Sequence, residues 1–136
     1  MIYITRKEHF NASHRLYRED LSQEENFEMF GKCANPNFHG HNFTLLVTVR
    51  GHPSPETGFV TDLKKLSELI KEQVTEKLDH RNLNKDIDFM QGVMPTIENV
   101  AIGIWNELKP HMSDCELYSV KLYETENQFA EYFGEP

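Results

Sequence analysis

The sequence predicts an α+β fold: a four-stranded antiparallel sheet with two helices on one face, in the order β-β-α-α-β-β. Three observations carry that reading. HNFTLLVTVRG alternates, with Phe43, Leu45, Val47 and Val49 set against Asn42, Thr44, Thr48 and Arg50, the period-two pattern of a half-buried strand. Two consecutive segments, LKKLSELIKEQVTEKLD and TIENVAIGIWNELK, carry apolar stripes at helical spacing. Helices that follow one another, instead of alternating with strands, favour an antiparallel sheet with the helices gathered in one layer.

The elements follow in order. In IYITRKEHFNASHRL, Ile2, Ile4, Phe10, Ala12 and His14 share one parity, which puts them on one face of a first strand. LYREDLSQEENFEMF is acidic and irregular, and reads as a loop with a helical turn. GKCANPNFHGHNF then leads into the second strand. HPSPETG is a turn by composition and leaves room for a short return arm at Phe59-Val60. Asp62 is placed to cap the first helix, whose stripe is Leu63, Leu66, Leu69, Ile70, Val74 and Leu78. HRNLNKDIDFMQGVMP has little periodicity and reads as a long connection. Thr96 caps the second helix, with Ile97, Val100, Ala101, Ile104, Trp105 and Leu108 as its stripe. CELYSVKLYET and QFAEYF are the last two strands. A chain of 136 residues with no linker or repeat reads as one domain, 1–136. Four strands leave two open edges, which invite pairing with further subunits.

Composition removes several functions. The formal net charge is -8, which argues against a nucleic-acid partner. A phosphorylated ligand therefore needs a local basic cluster. MIYITRKEHF has no apolar signal region and no segment approaches membrane-spanning length, so a cytoplasmic protein is expected. Its two cysteines read as thiols rather than a bridge.

Four groups of residues could carry chemistry. His39 and His41, two apart on a strand, share a face, and an adjacent antiparallel strand could bring His14 to them. Three neutral imidazoles suit zinc with a fourth position open; the other reading is a turn with exposed histidines. Cys33 is a fourth metal ligand, an acid/base near the metal, or a small buried hydrophobe. Asp79-His80 is a relay pair or a helix end whose cation complements the dipole; adjacent residues seldom bond each other directly. Glu124 shares parity with Val120 and Leu122, so a carboxylate ends an apolar face. It needs a partner, such as a ligand edge with two N–H groups, or it is a solvated strand end.

FNASHRL, GKCANPNFHGHN, LDHRNLN, PTIENVA and LYETEN, in this order, resemble the 6-pyruvoyl tetrahydropterin synthase family over nearly the whole chain. The resemblance implies the tunnelling fold (T-fold), with subunits joined edge to edge into trimers and two trimers in a homohexamer. It implies zinc on His14, His39 and His41, and Cys33 as the proton acceptor with Asp79 and His80 as relay partners. Glu124 is implied to belong to that relay and to hold the pterin's 2-amino and N3 edge. Thr96 is implied as a pterin contact, and Arg6 and Arg15 as triphosphate contacts. The implied reaction converts 7,8-dihydroneopterin triphosphate to 6-pyruvoyl-5,6,7,8-tetrahydropterin and triphosphate, as in tetrahydrobiopterin biosynthesis. The sister activity is 6-carboxytetrahydropterin synthase of queuosine biosynthesis, which typically has a shorter loop before the cysteine and a shorter cysteine-to-HxH segment. The long YREDLSQEENFEMFGKC loop and the six positions between Cys33 and His39 favour the pyruvoyl branch. A non-catalytic pterin or zinc module, with Cys33 closing the metal shell, is the contrasting class.

Overall fold

The computed structural model describes the whole chain, Met1–Pro136. Its strands are β1 (Ile2–His14), β2 (His39–Gly51), β3 (Arg81–Asn82), β4 (Glu116–Thr125) and β5 (Gln128–Tyr132). Its helices are α1 (Gln23–Phe30), α2 (Leu63–Ile70), α3 (Glu76–Leu78) and α4 (Ile97–Leu108). The sheet order is β3-β1-β2-β4-β5. The four expected antiparallel strands are present, and the sheet is corrected to five strands and mixed pairing. β3 runs parallel to β1, with Ala12 opposite Arg81 and Ser13 opposite Asn82. Two residues cannot display a period, so β3 reads as connection in the sequence. What makes it a strand is tertiary: His80 N–H donates to Asn11 O, and Leu83 N–H to Ser13 O at 2.8 Å.

The β1–β2 ladder positions everything that follows. It runs without interruption from Ile2 opposite Gly51 to His14 opposite His39. Its inward face carries Phe10, Ala12, Phe43, Leu45, Val47 and Val49, all buried, and β4 adds Leu117, Val120 and Leu122. Leu66, Ile70, Val74 and Leu78 cover these from one helix, and Val100, Ala101, Ile104 and Leu108 from the other. Each buried aliphatic side chain contributes about 1.5–3 kcal/mol relative to exposure. Phe10 and Phe43 stack at 4.8 Å, nearly parallel, and close the core at one end. The Phe43 ring lies 6.3 Å from His14 and 5.7 Å from His41, edge-on to both.

Helix ends follow their capping residues. Asp62 accepts from Lys64 N–H at 2.9 Å and Thr96 from Asn99 N–H at 3.2 Å. Between α2 and α3 the helix continues through a π-helical stretch, Lys71–Thr75, which a 3.6-residue pattern does not reveal. The acidic segment expected as a loop with a helical turn contains a full helix, α1. Ser22 and Glu25 form a reciprocal capping box, with bonds of 3.1 and 3.0 Å, a signal present in the sequence as S-x-x-E. Phe59-Val60 forms no strand; the HPSPETG turn closes on itself through Ser54 N–H to Phe59 O at 2.8 Å.

One buried carboxylate was not anticipated. Glu8 lies on the inward face of β1, accepts from Ser67 Oγ of α2 at 2.7 Å and pairs with Arg6 Nε at 2.9 Å. Burial alone would raise its pKa. The bonds from Ser67 and Arg6, with the charges of Arg6 and Lys71, outweigh that and hold it below the ordinary value. Ser67→Ala should therefore cost about 1–3 kcal/mol in urea unfolding at neutral pH, the range for a buried acceptor losing its donor. Because the folded pKa is depressed, this stability is present above the ordinary glutamate pKa and is lost as pH falls through the folded value. A cost that persists undiminished at low pH would show that Glu8 is not its source.

Candidate functional site

At the closed end of the sandwich, above Phe10 and Phe43, three imidazoles converge. His14 ends β1, and His39 and His41 begin β2 on the same inward face. Ring centroids are 4.6 Å apart for His14–His39, 4.9 Å for His39–His41 and 5.3 Å for His14–His41. Their ligand atoms lie within 4.8 Å of one another. His14 Nε2, His41 Nε2 and both nitrogens of His39 are buried without a hydrogen-bond partner. Orphaned buried nitrogens are costly unless something satisfies them. Three of them aimed at one point fit a divalent metal of the zinc type.

The tautomer of His14 is fixed by its other nitrogen. Nδ1 lies 2.8 Å from the Pro95 carbonyl, which only accepts, so Nδ1 carries the proton and Nε2 presents its lone pair. Pro95 immediately precedes the Thr96 cap, so the start of α4 and the end of β1 are joined at the metal ligand. Burial pushes His14 below its ordinary pKa, against the opposing pull of the Pro95 bond and Glu124. Burial, then the neighbouring His14 and His41, pushes His39 down as well.

Glu124 is the common neighbour. A register shift between Tyr123 and Thr125 sets it at the end of β4 with Oε2 3.8 Å from His14 Nε2 and Oε1 3.7 Å from His41 Nε2. Gln128 Nε2 donates to Oε1 at 3.1 Å. Cys33, half-buried and unpaired, is stitched beside the site by Leu16 N–H to Cys33 O at 2.8 Å and by Arg15 Nε to Ala34 O at 3.0 Å. Burial, then the Glu124 charge, pushes its thiol up, so the help expected from Lys32 does not prevail in the chain alone. A positive charge held by the histidines acts in the opposite direction. The cluster of prospective metal ligands comprises the three histidines, with Cys33 outside it.

Asp79 and His80 do bond each other directly, through His80 Nδ1 to Asp79 Oδ2 at 2.9 Å. The expectation that adjacent residues seldom do so fails because His80 sits at φ 60°, which turns its ring back. Asp79 Oδ1 accepts from Asn11 N–H at 2.8 Å. The pair is exposed at the β1 edge, His80 by 81% of its side chain, and bonds Asn11 rather than Cys33. Arg6 lies eight residues before His14 on β1 and is held by Glu8. Arg15 directly follows His14, and Thr96 uses its hydroxyl as the α4 cap. The Pro95 carbonyl, Gln128, Asn11 and Asn84 escaped sequence reading, because a main-chain acceptor or a loop amide carries no pattern. Asn84 bonds both main-chain groups of Arg15 at 2.8 Å.

The family model described as 6-pyruvoyl tetrahydropterin synthase matches residues 3–135. The chain is 46% identical to the 6-pyruvoyl tetrahydrobiopterin synthase of Homo sapiens over 132 residues, covering 97% of this chain and 91% of the relative. It superposes on the 6-pyruvoyl tetrahydropterin synthase of Caenorhabditis elegans with a TM-score of 0.91 at 42% identity, covering 98% and 96% of the two chains. The 6-carboxy-5,6,7,8-tetrahydropterin synthase of Rickettsia bellii is more distant, at 28% identity over 149 residues, covering 96% of this chain and 99% of the relative.

His39→Ala should abolish tight binding of a divalent metal, read by competition with a chromogenic chelator; full retention would remove the three histidines as the site. Since burial holds His14 and His39 below an ordinary histidine pKa, protons compete poorly for these two. Metal should therefore stay bound as pH falls through the ordinary histidine value and be released only below it.

Proposed function

The chain belongs to the 6-pyruvoyl tetrahydropterin synthase family, and from that we propose that it is a lyase converting 7,8-dihydroneopterin triphosphate to 6-pyruvoyl-5,6,7,8-tetrahydropterin and triphosphate. The observation that carries this reading is the convergence of three orphaned imidazole nitrogens with Glu124 and a free Cys33. The reaction is an elimination with internal redox and needs no external electron carrier. The 46% identical relative carries the pyruvoyl name and the 28% identical relative the carboxy name, which favours the pyruvoyl product.

His14, His39 and His41 would hold zinc. When bound, it supplies Lewis acidity to the substrate's side-chain oxygens, making the adjoining C–H protons more acidic. Cys33 takes and returns those protons. Glu124, between the thiol and two imidazoles, shares their transfer. The pterin's 2-amino and N3 edge requires a carboxylate with free oxygens. Glu124 is one candidate; Glu98, exposed in the first turn of α4 two residues past the Thr96 cap, is the other, because Glu124 is already bonded to Gln128. Thr96 borders that edge. Arg15 meets the triphosphate, and Arg6 does so from a neighbouring subunit.

Asp79 and His80 complete the relay from a neighbouring subunit in a homohexamer. Their exposure at the β1 edge supports this, as do the apolar side chains at the two sheet edges: Ile2, Tyr3, Phe129 and Phe133 are each about half exposed. The β1 edge is covered by β3 only at Ala12 and Ser13. We assign the protein to the cytoplasm, where its two free thiols stay reduced.

Incubation of the zinc-loaded enzyme with dihydroneopterin triphosphate should yield the pyruvoyl product and triphosphate by mass spectrometry; release of acetaldehyde with a carboxy product would overturn the assignment. Cys33→Ala should lose roughly 10²–10⁴ in rate and keep its metal. In that inactive background, a non-reactive pterin titrated against Glu98→Gln and Glu124→Gln assigns the ring edge to the variant that weakens binding.

Cys33→Ala and His80→Ala, each inactive as a pure assembly, should regain activity when refolded together, since mixed assemblies unite an intact thiol with an intact dyad. Absence of recovery in mixed assemblies verified by mass would return the dyad to its own chain.

A further inference from the structure

Two cations flank the histidine site without a carboxylate partner. Arg6 and Arg18 are held by Glu8 and Asp20. Arg15, one residue after His14, instead lies with its guanidinium 3.9 Å from the Tyr17 ring centroid. Its Nε is bonded to Ala34 O, which leaves its terminal nitrogens free. On the other side, Lys85 Nζ lies 4.9 Å from the ring centroid of Phe38, one residue before His39. His14 and His39 are opposite each other in the ladder, so the two cation–aromatic pairs stand on the two sides of one mouth. Asn84, next to Lys85, bonds both main-chain groups of Arg15 and draws the pairs together. Tyr17, Asn84 and Lys85 line a cavity of about 310 Å³ that reaches Met94 and Pro95 and also meets Glu19.

Phe38 is an unusual residue for its backbone. At φ 66° it occupies the left-handed region, which a bulky side chain rarely adopts. The turn Asn35–Phe38 is closed by Phe38 N–H to Asn35 O at 3.0 Å. Glycine would satisfy that backbone without strain. The ring therefore has a use beyond the turn, and what it touches is Lys85.

We propose that Lys85, steered by the face of Phe38, forms with Arg15 the seat for the substrate's triphosphate tail, and that Lys85 determines specificity for the phosphorylated substrate. This rests on the substrate reading above. An acidic chain repels a polyanion overall, so its tail must be met by cations that are local and uncommitted. An ammonium over a ring face keeps its charge and remains oriented, and a guanidinium with free terminal nitrogens grips phosphate oxygens.

The test uses zinc-loaded enzyme as Lys85→Met, Lys85→Arg, Phe38→Gly and Phe38→Tyr. Steady-state kinetics on dihydroneopterin triphosphate are combined with calorimetric titration of inorganic triphosphate and of unphosphorylated dihydroneopterin. Lys85→Met should raise KM and the inorganic triphosphate Kd about tenfold, the loss of one charge-assisted contact, with kcat and dihydroneopterin affinity unchanged. Lys85→Arg should restore both. Phe38→Gly, which suits the backbone and keeps the fold, should cause a smaller loss of the same kind, and Phe38→Tyr none. Unchanged triphosphate affinity in Lys85→Met overturns the proposal, as does an equal loss of dihydroneopterin binding. If the wild-type enzyme does not turn over the phosphorylated pterin, the reaction assigned above fails, while the inorganic triphosphate titration still decides the seat.

Discussion

The bond from His14 Nδ1–H to the Pro95 carbonyl is the contact on which the site depends. It is buried, so its loss would leave an unpaired carbonyl and a ring free to rotate. It selects the tautomer that offers Nε2 inward. It also joins the last residue of β1 to the residue before the α4 cap, fixing sheet to helix where the apolar core ends. With His14 held, the unbroken β1–β2 register brings His39 opposite it, and the alternation of β2 adds His41. The position of the site is thus a consequence of strand register, helix capping and one imidazole bond acting together.

Electrostatically the site has an inner and an outer part. Inside, burial favours neutral imidazoles and a protonated thiol, and Glu124 supplies the one negative charge they share. Outside, Asp79 and His80 are solvated, and their orientation comes from Asn11, whose N–H grips Asp79 and whose carbonyl takes the His80 N–H. A dyad held by main-chain groups at a strand edge is rigid without being buried, which suits a pair that must present one ring nitrogen outward.

Periodic features are legible in the sequence, and non-periodic ones are not. The alternation of β2 and the stripes of Leu66–Leu78 and Val100–Leu108 identify the layers. The HxH spacing identifies two of the three histidines of one face, and Asp62 and Thr96 identify two helix starts. β3 is invisible because two residues have no period and its pairing comes from Asn11 and Ser13. α1 was visible through Ser22 and Glu25, but its acidic composition masked the capping box. Glu8 breaks the apolar face of β1 and is explicable only once Ser67 is known to lie across from it. The family motifs brought Cys33, Asp79 and His80 together in sequence reading. In the chain itself, Cys33 neighbours Glu124 and the dyad stands at the sheet edge, a spatial fact that one-dimensional spacing does not encode.

The π-helical stretch Lys71–Thr75 has a consequence for how the chain can vary in length. One residue rotates an α-helix by about 100°. A single deletion there would convert the stretch to ordinary helix and turn everything after it by about that angle. Leu78 would leave the core face, and Asp79 would swing away from Asn11. The number of residues between the Asp62 cap and Asp79 is therefore set by angular phase, not by span. The HPSPETG turn, whose bonds close within itself, carries no such phase and is where insertions and deletions can accumulate among descendants of this sequence.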